Sequence, residues 1–179
     1  MSMVWIASAT SSSAFTYGTF SSIPQTFTHL QLRVFGRATF NNGGYNGSLY
    51  IQFSGSGVNY GYRHSLSGNG ATATSFNGTS TSQLSLIGLV SDAGSIANNY
   101  GASVIDILDY TNTNKNKTVR AIGGADNNGT ANYGAVALTS QAWLDLSAIT
   151  SIQVGTDSQF AANSRLDLYG ITSSSVTGA

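Results

Sequence analysis

Apolar and polar residues alternate through most of the chain. Between Thr28 and Phe35, an extended backbone puts Leu30, Leu32 and Val34 on one face and His29, Gln31, Arg33 and Phe35 on the other. Leu49, Ile51 and Phe53 repeat the pattern between Ser48 and Ser54, and Tyr60, Tyr62, His64 and Leu66 share a face in the next segment. A period of two marks a strand with one side in a core and one in water. The same reading predicts strands over Val4 to Ser8, Ala14 to Phe20, Gln83 to Leu89, Ala102 to Tyr110, Thr118 to Gly123, Tyr133 to Leu138, Ser151 to Gly155 and Arg165 to Ile171. Roughly ten to twelve short strands is the density of a β-sandwich. Ser103 to Leu108 is apolar on both faces apart from Asp106, which predicts a central strand or one at an interface.

Breaks between these segments carry turn chemistry. Asn-Gly pairs at Asn46-Gly47, Asn69-Gly70, Asn77-Gly78 and Asn128-Gly129 favour positive φ and tight hairpins. Pro24 lies between two predicted strands, where its missing N–H costs nothing. The polar run Thr111 to Lys117 reads as an exposed hairpin connection joining Ala102 to Tyr110 with Thr118 to Gly123. One helical turn is expected over Ser140 to Leu146, where Trp143 and Leu146 are three apart. The expected fold is all-β: a single domain spanning residues 1–179, an antiparallel two-sheet β-sandwich that is jelly-roll-like, with an immunoglobulin-like sandwich as the alternative.

Composition narrows function more than fold. Only 8% of the 179 residues are charged, seven cations against seven anions, where about 25% is usual. All seven acids are Asp. Balanced charge supplies no positive surface, so no nucleic-acid partner is expected. With no Cys there is no disulfide framework and no thiolate chemistry. No apolar run approaches the roughly 20 residues of a spanning helix, so no membrane insertion is expected. The opening segment lacks the basic and apolar regions of a cleaved export signal, which predicts synthesis in a cytoplasm without export.

Candidate chemistry is sparse, and no enzyme activity, catalytic residue or cofactor is expected. His29 and His64 are the two imidazoles, and a Ser-His-Asp site needs a base held by an acid and touching a nucleophile. Asp106 and Asp109 lie three apart on a predicted strand and would point to opposite faces, unlike a paired-carboxylate hydrolase site. Asp126 to Asn128 faintly echoes an oxygen-ligand cation loop but has no Glu to complete it, so a turn is expected and no metal site. Asn-x-Ser/Thr at Asn46, Asn77, Asn116 and Asn128 follows from a chain rich in those residues. Trp5, Trp143, Tyr45, Tyr100 and Tyr133 are the aromatics that could stack on sugar rings. Tyr45, Tyr133 and Trp143 stand out as candidate glycan or interface contacts.

Met1 to Ala7, Phe20 to Arg33 (FSSIPQTFTHLQLR), Ala102 to Gly129 (ASVIDILDYTNTNKNKTVRAIGGADNNG), Trp143 to Ile152 (WLDLSAITSI) and Leu168 to Ile171 follow one another along the chain. Taken in that order, these segments resemble a family of small bacteriophage virion proteins of marine and freshwater phages. Thr39 to Ser95 matches in character alone. The resemblance implies a β-sandwich component of the phage particle, located in the virion and assembled in the host cytoplasm, and supplies no catalytic or binding residues. A capsid decoration (cement) protein is the leading expectation, and a tail-fibre or baseplate adsorption module binding host-surface glycan is the alternative. Expected partners are further copies of the chain in a homotrimer, other virion proteins such as the major capsid protein and, in the alternative, host glycan. A nearly uncharged surface leaves sheet edges unguarded, which favours cover by neighbouring subunits.

Overall fold

The computed structural model describes residues 2–41, 46–54, 60–68, 72–79, 83–126 and 134–172. Twelve strands run through them: β1 (Ser2–Thr10), β2 (Phe15–Phe20), β3 (His29–Gly36), β4 (Asn46–Phe53), β5 (Tyr60–Gly68), β6 (Ala73–Thr79), β7 (Leu84–Ser91), β8 (Gly101–Ile107), β9 (Lys117–Ala125), β10 (Ala135–Trp143), β11 (Ile152–Phe160) and β12 (Arg165–Thr172). No helix occurs among the described residues. The turn expected over Ser140 to Leu146 is instead the end of β10. Alternation runs through Ala137, Thr139, Gln141 and Trp143, all buried, while Leu146 lies beyond the strand and is exposed.

Two antiparallel sheets pack together. The larger has the order β1-β12-β3-β8-β9-β10-β5-β6 and the smaller β2-β11-β4-β7. The chain switches sheet between β1, β2, β3, β4 and β5, and again around β7 and β11, so its halves interleave in both layers. With β5, β6, β9 and β10 set aside, eight strands form the sets β1-β12-β3-β8 and β2-β11-β4-β7. The other four extend the large sheet past the small one. β8 and β9 pair as a hairpin across the connection the sequence predicts.

The shared core lies between the sheets. Leu30, Leu32 and Val34 of β3, Ile105 of β8 and Leu166 and Leu168 of β12 point inward. They join the cluster formed by Leu49, Ile51 and Phe53 of β4 and Ile152 and Val154 of β11. Phe15 stacks on Phe160 at 5.2 Å, closing the core beside β2. Tyr110 is fully buried beyond β8 and donates its hydroxyl proton to the Pro24 carbonyl, tying down the connection between β2 and β3.

β7 ends the small sheet, yet β8, β9 and β10 of the wider large sheet cover it. Its outward backbone groups are therefore away from water and need partners. Side chains of the large sheet provide them. The Ser103 hydroxyl accepts from the Leu89 N–H at 3.0 Å and donates to the Leu89 carbonyl at 2.7 Å. Thr139 donates to the Ile87 carbonyl at 3.2 Å, and the Gln141 amide donates to the Ser85 carbonyl at 2.5 Å. Glycines make room for this bridge: a Cβ on Gly123 would lie 1.9 Å from the Ser103 hydroxyl oxygen.

Two readings of turn residues are corrected. Asn46-Gly47 opens β4 opposite Ser91 and Val90, and Asn77-Gly78 lies inside β6 opposite His64 and Arg63. Asn69-Gly70 and Asn128-Gly129 lie outside the described residues. After β7, the guanidinium of Arg37 gathers residues 93–99 by donating to the carbonyls of Ile96 (2.7 Å), Ser95 (2.9 Å), Asn99 (3.1 Å) and Ala93 (3.3 Å).

Candidate functional site

Of the three aromatics singled out as surface contacts, Trp143 is placed in the core. Its ring is fully buried on the inner face of β10, tilted against Phe53 at 5.3 Å, and presents no surface for stacking or contact. Lys117 pairs with Trp143 in the β9–β10 register, and its ammonium lies 5.5 Å from the ring centre. Lys117 was expected in an exposed connection but is fully buried. Its Nζ donates to the Lys115 and Asp145 carbonyls, both at 3.2 Å. Burial lowers its pKa, and the nearby Asp145 charge opposes that shift. Asp145 is held below the usual carboxylate range mainly by the Ser147 N–H, which donates to it at 2.7 Å, and by the Ser147 hydroxyl. This lysine is a plug for the end of the core. Tyr45 and Tyr133 lie outside the described residues.

The other candidates form separate structural contacts. Asn127 and Asn128 lie outside the described residues. Asp126 is exposed at the end of β9, and its backbone carbonyl accepts from the Asn99 side chain. Among the described residues no group of three or more His, Asp or Glu stands together as a metal set. The His64 side chain lies outside the described part of the molecule. His29 Nδ1 accepts the Asp109 N–H at 2.9 Å and lies 3.3 Å from the Asp109 carboxylate, which also pairs with Lys115. In a catalytic triad that nitrogen donates to the acid. Here it accepts from the backbone, so His29 anchors the turn that follows β8.

The register of the large sheet brings a longer constellation onto its outer face. Trp5, Tyr169, Gln31, Asp106, Arg120 and Ser140 stand in line across β1, β12, β3, β8, β9 and β10. Gln31 donates to Asp106 at 2.9 Å, and Arg120 donates to the other oxygen of that carboxylate at 3.1 Å. Arg33 donates to Gln31 at 3.0 Å while its guanidinium lies 4.9 Å above the Tyr169 ring. The Trp5 indole N–H donates to Ser8 at 3.0 Å, and Ser8 donates to Asp167. Arg165 donates to both oxygens of Asp167 at 2.9 and 2.8 Å.

Two and four residues further along β8, β9 and β10 the same face becomes apolar. Leu138, Ile122 and Val104 are cross-strand neighbours, as are Val136, Gly124 and Ala102 in the next row. Ile122 is 56% exposed, Val136 61% and Leu138 54%. Half-exposed Phe35 stacks on Tyr100 at 5.0 Å at the margin of this patch. Of these residues, only Phe35 was read as facing away from the core in the sequence. The patch as a whole depends on which strands are neighbours.

The small sheet carries its own polar face. Tyr17 lies across Gly155, where a Cβ would sit 3.0 Å from the ring. Tyr50 donates to Asp157, which also accepts the Ser48 N–H at 2.7 Å. Burial and the Asp157 carboxylate push the Tyr50 phenol up to about 12. Compared with protein-family models, with curated proteins and with solved structures, the chain matches none of them.

Proposed function

We propose that this chain is a non-enzymatic structural protein of a bacteriophage virion, a capsid decoration (cement) protein. In this reading it stabilises the shell through contacts with its own copies and with virion proteins such as the major capsid protein. The observation that carries the reading is the apolar patch of Ile122, Val136 and Leu138, continuous with Val104 and Ala102 on the outer face of β8, β9 and β10. With strands about 4.8 Å apart and same-face residues about 7 Å apart, the patch spans roughly 14 Å in each direction. Contiguous apolar surface of this kind favours association, and its size suits the apolar centre of an interface with a polar rim.

Two further observations support the reading. The resemblance of IPQTFTHLQLR and VIDILDYTNTNKNK to phage virion proteins supplies the setting. The interleaved order of the eight strands outside β5, β6, β9 and β10 fits a jelly roll, in which two Greek keys fold into opposed sheets. Closed symmetric assembly is the common outcome for such pieces, and a homotrimer is the expected form.

Light scattering on the purified chain tests the contact. The expected mass is three times that of one chain, falling to one when Ile122→Lys and Leu138→Lys are combined, with the far-ultraviolet spectrum unchanged. A monomeric wild-type chain at roughly micromolar concentration removes the proposal, since specific interfaces of ordinary size hold there. In purified virions, a decoration protein stands in numbers comparable to the major capsid protein. A small fraction of that number would move the protein to the tail.

A further inference from the structure

The polar half of the large sheet's outer face does more than subunit packing requires. Trp5 is 58% exposed, yet its ring is held in place. The pairing of β1 with β12 slips between Trp5 and Ala7, which puts both Trp5 and Ser8 on the outer face. Ser8 then receives the indole N–H and is itself fixed by donating to Asp167, which Arg165 holds in turn. An aromatic ring that is exposed and already oriented loses little freedom when a ligand covers it.

A cation lies over Tyr169, the cross-strand partner of Trp5. Arg165 occupies Asp167, and Gln31 and Arg120 occupy Asp106, so Arg33 pairs with no carboxylate among the described residues. It lies over Tyr169, and its Nη2 is 3.3 Å from the Met3 sulfur, on the same face as Trp5 and two residues away. Guanidinium groups bind carboxylates through paired donors. Three arginines (33, 120 and 165) against two aspartates (106 and 167) leave the strip one charge positive.

We propose that the Trp5–Tyr169–Arg33 corner binds an acidic saccharide, with a pyranose ring stacked on Trp5 and its carboxylate held by Arg33. The C–H face of a sugar suits an indole, and the sugar's hydroxyls suit the Gln31–Asp106–Arg120 row, which continues across neighbouring strands at about 4.8 Å spacing. A chain of sugar units would therefore lie across the strands. The site uses none of the apolar patch, so it stands independently of the subunit contact.

Calorimetry with oligogalacturonate, oligoalginate and sialyllactose, with maltotriose as the neutral control, tests this. At least one acidic probe is expected to bind saturably and more tightly than maltotriose. Trp5→Ala and Arg33→Gln should each weaken it roughly tenfold, about 1.4 kcal/mol, without altering the melting temperature. The combined Ile122→Lys, Leu138→Lys variant should bind normally. The proposal is overturned if no acidic probe binds at roughly millimolar concentration, if maltotriose binds equally well, or if Trp5→Ala and Arg33→Gln leave binding unchanged.

Discussion

Lys117 is fully buried without an ion pair among the described residues, held by carbonyls and the face of Trp143. The sequence places it in a polar run with Lys115, and nothing in that run separates a solvated lysine from one folded over an indole. The difference is set by where β9 begins, because its first residue faces inward. Tyr50 offers a sharper test of a single group. Its pKa is raised from 10.0 to about 12, first by burial and then by Asp157, so folding favours the protonated phenol. The resulting stabilisation is complete below pH 10.0 and is lost as pH rises through about 12. Urea midpoints of the wild type and Tyr50→Phe should keep a constant separation up to pH 10.0, with the wild type losing ground above it. Parallel curves throughout would show that this phenol titrates normally.

At the level of strands, β7 shows how an edge is made safe without charge. Natural edges are commonly guarded by lysine, proline or a bulge. β7 is covered by the wider sheet, and Ser103, Thr139 and Gln141 bond its free carbonyls and Leu89 N–H. Removing one such partner strands a buried polar group, so Ser103→Ala should cost about 1–3 kcal/mol. Gly123→Ala should cost more, because the new Cβ would collide with the Ser103 hydroxyl oxygen. Urea denaturation of the two variants checks the order, and the reverse ranking would mean that the bridge matters more than the space around it. Strands with clear alternation, such as β3 and β4, were legible from sequence because one face meets a core. β6 was not. Its ATSFNGT has no alternation and contains a turn-favouring pair, and pairing with β5 supplies the conformation instead.

At the scale of the molecule, the described residues form one core cluster fed by both sheets, with strands from distant parts of the chain side by side. Neither sheet can lose its partner without exposing Leu, Ile and Phe side chains from both. Unfolding in urea should therefore be a single transition. The two tryptophans make this measurable: Trp5 reports from the sheet surface and Trp143 from the core. Fluorescence and far-ultraviolet signals should coincide, and a separate earlier step in either would mean that part of the large sheet comes apart on its own. The large sheet's outer face joins an ordered polar strip to an apolar patch. Aggregate composition, with 8% charged residues, does not say how polar and apolar positions divide across that face.

Side-chain alternation was enough to read an all-β chain, most strand positions and the inward set on β3 and β4, because a period of two reports directly on a backbone with one dry face. Strand adjacency is a long-range matter. The line from Trp5 to Arg120, the slip that turns Ser8 toward Trp5, the burial of Trp143 and Lys117, and the apolar patch all arise from pairing between residues far apart in the chain. Local pattern carries no record of which strand lies next to which, so these features exist only once the sheets are assembled.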